Sequence, residues 1–186
     1  MSGKGLALAP AAGALLTVGA LLAASALLTA CADVPPPSGA VGSQAPDYAA
    51  PTLDGDTISL AELRGNAVLL NVWATWCPPC RKEMPDLQKL HEEFDHAGLR
   101  VVGVSIDAAG ADEMVREFLE DYGITYTILR DPADRITSLF PAPGVPNTIL
   151  IDAEGKVAWR RLGEVTADDP SLREAIARAL PATRRR

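Results

Sequence analysis

Histidine is almost missing from this chain. Only His91 and His96 occur among 186 residues, both late in one helical stretch and expected on its surface. Cysteine is scarce as well, with Cys31, Cys77 and Cys80. A structural zinc site needs four ligands, and no third cysteine follows Cys80, so no metal site is expected. Basic residues are short too, 17 against 24 acidic, giving a net charge of -7. A phosphate-binding surface needs a basic stripe, so composition argues against a nucleic-acid partner. The one strongly basic run, Thr183 to Arg186, reads as a solvated tail over 183–186. Charged residues are 22% and hydrophobic ones 48%, with aliphatic runs at short intervals, so the bulk of the chain folds.

What is present begins with a hydrophobic leader. Lys4 is the only charge before Asp33, and the chain runs apolar from Ala11 to Cys31. That is the layout of an export segment over residues 1–30. It ends in Leu28-Thr29-Ala30-Cys31, which resembles the bacterial lipobox, where cleavage leaves the cysteine as a lipid-modified first residue. Cys31 is thus the expected lipidation site, and the odd cysteine has its own role. An uncleaved membrane-spanning helix is the other reading. Both leave the domain tethered on the extracytoplasmic face of the cell membrane. Residues 31–45 have the Pro, Gly and Ser content of a flexible tether, with a reach of at most roughly 45 Å.

From residue 46 to 182 strand and helix patterns alternate. "TISL" (57–60) reads as an edge strand or hairpin arm, and "AVLLNVWA" (67–74) as a strand covered on both faces. Met84, Leu87, Leu90 and Phe94 recur at helical spacing. "LRVVGVSID" (99–107) is a second buried strand, followed by a helix from Asp112 to Gly123 and a strand at 126–131. "NTILID" and "KVAWRRL" flank a turn as an antiparallel hairpin, and 169–180 form a closing helix. The pattern predicts one α/β domain, a mixed sheet with helices on both faces.

The chemistry sits in "WATWCPPCRKEMP", residues 73–85. With Cys77 as N-cap of a helix, Pro78 and Pro79 occupy its first positions, where a missing N–H costs little. The N–H of Cys80 is then the nearest backbone donor for the Cys77 sulfur. A Cys77 thiolate also faces the positive end of the helix dipole, and both effects lower its pKa. Cys77 is expected to stand bare at the helix tip, and Cys80 to be more shielded yet near enough to close a ring. Cys77 would attack a partner's disulfide and Cys80 would resolve the mixed disulfide.

"NVWATWCPPCRKEMPDL" resembles the active-site segment of the thioredoxin superfamily, most closely its membrane-tethered thiol:disulfide oxidoreductases of the TlpA/ResA/DsbE type. The similarity runs from about Gly42 to Leu180 and includes "GVPNTILIDAEGKV". The resemblance implies a thioredoxin-like fold, monomeric, with no cofactor beyond the Cys77–Cys80 pair. It implies that Val145-Pro146 is the cis-proline loop facing the cysteines, that Gly144 allows close approach of a substrate strand, and that Pro85 kinks the helix. Trp76 would cover the disulfide and Trp73 pack beneath it. Glu83 would take the proton of Cys80, in a family where other members use an Asp at the position of Asn71. A solvated helix face is the other reading of Glu83.

The resemblance also implies disulfide-bearing exported proteins as substrates, apocytochrome c among them, and a membrane electron donor of the CcdA/DsbD kind. Two alternatives share the fold. A peroxiredoxin-like peroxidase has Thr three residues before its cysteine, whereas Thr75 stands two before Cys77. A copper-delivery protein uses CxxxC and a distant His, and no His follows His96.

Overall fold

The structure is a computed structural model that describes residues 36–182. The export segment, Cys31 and the tail at 183–186 lie outside the described residues. Five strands form one sheet in the order β5-β4-β3-β6-β7: β3 (Ala67–Trp73), β4 (Leu99–Ser105), β5 (Thr127–Arg130), β6 (Asn147–Ile151) and β7 (Val157–Leu162). β3 pairs parallel with β4 and β4 with β5, while β6 runs antiparallel to both β3 and β7. A short antiparallel hairpin, β1 (Ala49–Pro51) with β2 (Thr57–Ser59), precedes it. The helices are α1 (Pro78–Phe94), α2 (Asp112–Asp121), α3 (Arg135–Leu139) and α4 (Pro170–Ala179).

Every residue of β3 is buried, because both faces of the sheet are covered. Its side chains alternate between two cores. Ala67, Leu69 and Trp73 join a cluster with α1, α2 and α4, and Val68, Leu70 and Val72 join one with Ile136, Phe140, Tyr48 and Ala50. This is the mixed α/β fold expected from the sequence. Met84, Leu87 and Leu90 of α1 are fully buried at helical spacing. Each such side chain contributes roughly 2 kcal/mol by leaving water.

Asn71 is the one polar residue of β3, and it occupies a core-facing position toward α1. Its register partner on β4 is Gly103. A Cβ there would lie 2.7 Å from Ile128 Cδ1 and 2.9 Å from Trp73 Nε1, so glycine lets the Trp73 and Tyr126 rings cross β4.

Two expectations are corrected. Residues 42–45, assigned by composition to the tether, are fastened to the sheet edge: Gly42 N–H donates to the Val157 carbonyl at 2.8 Å and Ala45 N–H to Gly155 at 2.9 Å. Composition marks a segment poor in apolar side chains, but backbone hydrogen bonds need none. His91 is half-buried rather than on the surface, its ring edge-on to Tyr126 at 6.2 Å.

Candidate active site

Cys77 adopts an extended φ of −93° and caps α1, with Pro78 and Pro79 opening the helix. Cys80 N–H donates to the Cys77 sulfur at 3.2 Å. The two cysteines form a disulfide. Both are covered in this form, Cys80 fully and Cys77 to within 3%. Cys77 is therefore not bare at the helix tip: only a narrow edge of it reaches solvent, and the contrast in shielding with Cys80 is small while the bond is closed.

Val145-Pro146 is a cis peptide, and the Val145 carbonyl oxygen lies 3.7 Å from the Cys77 sulfur. A disulfide sulfur has no proton, so this contact becomes a hydrogen bond only in the thiol form. Pro146 in turn accepts from Gly163 N–H at 2.9 Å, and Arg160 Nε donates to Asn147 Oδ1 at 3.0 Å. These bonds hold the proline loop against β7. A Cβ on Gly144 would meet nothing within 4 Å, so the space it leaves is open to a partner.

Glu83 lies three residues after Cys80 on the buried face of α1, and both are fully buried. Helix neighbours at that spacing face each other. The carboxylate accepts from Asn71 Nδ2 at 2.7 Å and from Val165 N–H at 3.0 Å. Asn71 Nδ2 also reaches Thr148 Oγ1 at 3.0 Å. Burial pushes Glu83 up to about 7, against those two hydrogen bonds, with the nearby Glu164 adding to the rise. Of the two readings, the solvated face fails: Glu83 is an interior acid that titrates near neutrality.

Trp73 is fully buried, its ring 5.2 Å from Phe118. Trp76 is 64% exposed and walls a groove with Arg81 and α2. Pro85 lies inside α1. Among the described residues no cluster of three or more metal-ligating side chains occurs.

A second buried network escaped the sequence reading. Asp107 accepts from Thr75 N–H at 3.1 Å, Thr75 Oγ1 at 2.7 Å and Ser105 Oγ at 2.8 Å. Arg130, itself buried, donates to Ser105 Oγ at 2.6 Å and to the carbonyls of Asp107 and Ala108 at 3.2 and 3.1 Å. The network fixes the chain two residues before Cys77. Thr75 and Arg130 lie 32 and 23 residues from Asp107, spacings that carry no local motif. Thr148 lies within "GVPNTILIDAEGKV", but only its register against Asn71 on β3 shows what it touches.

The AhpC/TSA family profile matches residues 41–160. The thiol-disulfide oxidoreductase ResA of Bacillus anthracis is 34% identical over 128 residues, covering 69% of this chain and 73% of that protein. ResA of Geobacillus thermodenitrificans is 35% identical over 130 residues, covering 70% and 74%. Among solved structures, a thiol:disulfide interchange protein of the thioredoxin family from Chlorobium tepidum TLS superposes with a TM-score of 0.65 at 28% identity, over 80% of this chain and 99% of that one. With its paired cysteines at the start of a helix beside a cis-proline, the chain belongs to the AhpC/TSA family, among its thioredoxin-fold thiol:disulfide oxidoreductases.

Proposed function

We propose that the chain reduces disulfides in exported proteins, using Cys77 as nucleophile, Cys80 as resolving thiol and Glu83 as proton acceptor. The observation that carries this reading is the placing of the Cys77 sulfur, at the tip of α1, on the Cys80 N–H and beside the Val145 carbonyl. Once the disulfide is open, the N–H and the helix dipole favour the Cys77 thiolate. That thiolate attacks one sulfur of the substrate disulfide. A bond forms between Cys77 and that sulfur, and the other sulfur leaves as a thiolate that takes a proton from water.

Cys80 then gives its proton to Glu83, which at about 7 is partly ionised at neutral pH. The Cys80 thiolate attacks the Cys77 sulfur, the mixed disulfide breaks, and the second substrate thiolate departs. Two electrons have passed to the substrate, and the chain holds a Cys77–Cys80 disulfide. No cofactor enters these steps. Val145 and Pro146 border the sulfur where a substrate strand would lie, and exposed Trp76 stands beside it.

The apolar leader and the lipobox-like Cys31 support a lipid anchor on the extracytoplasmic face of the bacterial membrane. With residues 42–45 fastened to the sheet, the linker reaches at most roughly 35 Å from Cys31. That range suits a membrane donor of the CcdA/DsbD kind, which would return the electrons, and exported substrates such as apocytochrome c. The peroxidase alternative is disfavoured, because the Thr75 hydroxyl is spent on Asp107.

Trapping tests the reading. Full-length chain carrying Cys80→Ser should accumulate exported proteins as mixed disulfides on Cys77, identifiable by mass spectrometry. No adducts, or the same adducts on a Cys77→Ser chain, would contradict it.

A further inference from the structure

Three of the five large hydrophobic side chains exposed among the described residues, Trp76, Met114 and Tyr122, gather at one place. Trp76 and Met114 line an open groove of about 340 Å³ between the start of α1 and the outer side of α2, and Tyr122 stacks on its Phe118. Trp76 and Arg81 form one wall, directly flanking the two cysteines in sequence, and Met114, Glu117, Phe118 and Asp121 form the other. None of these residues belongs to the Val145-Pro146 loop, so this surface is a second flank of the cysteine pair.

The groove has two characters. Its floor is aromatic and sulfur-bearing: Phe118 stacks on Tyr122 at 4.4 Å, and the Arg81 guanidinium sits 5.6 Å above the Phe118 ring. The floor thus already holds a cation over an aromatic face. Its outer rim is acidic. Glu113, Glu117, Glu120 and Asp121 are all exposed on α2, and among the described residues Glu117 and Asp121 make no ion pair. Arg116, the basic residue of α2, is turned away onto Asp54. Unpaired carboxylates beside exposed aromatic and thioether surface complement a cation next to an apolar side chain.

We propose that this groove binds the substrate segment flanking the attacked cysteine, and that it selects segments with Lys or Arg and a large apolar residue within about three positions of that cysteine, since an extended chain advances about 3.4 Å per residue. The proposal rests on the thiol:disulfide reading above and names its substrate class. The apolar side chain lies on Trp76 and Met114, and the cation lies between Glu117 and Asp121.

The test uses the reduced full chain and two peptides, each with one internal disulfide and a leucine beside the first cysteine. They differ only in Lys or Glu two positions before that cysteine. At low salt the Lys peptide should be reduced about tenfold faster, with the ratio falling as salt screens the rim. The E117K/D121K chain should invert the ratio, an outcome misfolding cannot produce. A D56K/E154K chain, with the same change in net charge at exposed positions elsewhere, should keep it. Equal rates for both peptides, or equal loss of preference in the two double variants, would overturn the groove and leave the oxidoreductase reading standing. Reduction of neither peptide would overturn both.

Discussion

Replacing Glu83 with glutamine removes one titrating proton from the middle of the fold. Burial holds this carboxyl at about 7 in the folded chain, against 4.5 when it is free in water. A carboxyl raised by folding binds its proton more tightly in the native state than in the unfolded one. Below pH 4.5 both states are protonated, and the group costs nothing. Between 4.5 and 7 the unfolded state ionises first, so stability falls as pH rises. Above 7 the penalty is complete, and over that interval it amounts to about 3 kcal/mol. Glu62, Glu93 and Asp169 are all shifted downward, so their contributions change below this window. The assay is urea unfolding of the oxidised chain at a series of pH values from about 5 to about 8. Wild type should lose about 2.5 kcal/mol more than Glu83→Gln across that range, because part of the penalty is already present at the lower end. Parallel curves for the two proteins would refute the buried, near-neutral carboxyl and with it the proton acceptor for Cys80.

Three further outcomes follow from the geometry. Asp107→Ala leaves the Thr75 N–H, Thr75 hydroxyl and Ser105 hydroxyl without their acceptor, and should cost about 2–4 kcal/mol in urea unfolding. It should also slow attack by Cys77, because the preceding chain loses its anchor. Gly103→Ala drives a methyl to within 2.7 Å of Ile128 Cδ1 and should lower stability by about 1–3 kcal/mol. A Cβ at position 144 meets nothing within 4 Å inside the chain, so in Gly144→Ala the thermal midpoint should hold while reaction with a protein disulfide slows relative to a small one.

Strands and long helices were readable because their signals are local. The all-apolar run of β3 and the spacing of Met84, Leu87 and Leu90 reflect burial within single elements. The helix start was readable for the same reason: Cys77, the two prolines and the Cys80 N–H lie within four residues. Glu83 could be placed near the cysteines by resemblance, but its burial depends on Asn71, 12 residues away, and Val165, 82 away. The same holds for Asp107 with Thr75 and for Arg160 with the proline loop. β1 was missed because three residues with one buried side chain give no periodicity. The end of the tether was misplaced because its backbone bonds to Val157 and Gly155 leave no mark on composition.

The proposed exchange requires that, once the disulfide opens, Cys77 is the ionised sulfur near neutral pH. Brief alkylation of the reduced full chain with iodoacetamide at about pH 7, read by peptide mass spectrometry, tests it directly. Cys77 should be labelled first and at least about tenfold faster than Cys80 or either cysteine in the unfolded chain. Earlier labelling of Cys80, or labelling of both at the unfolded rate, would contradict it.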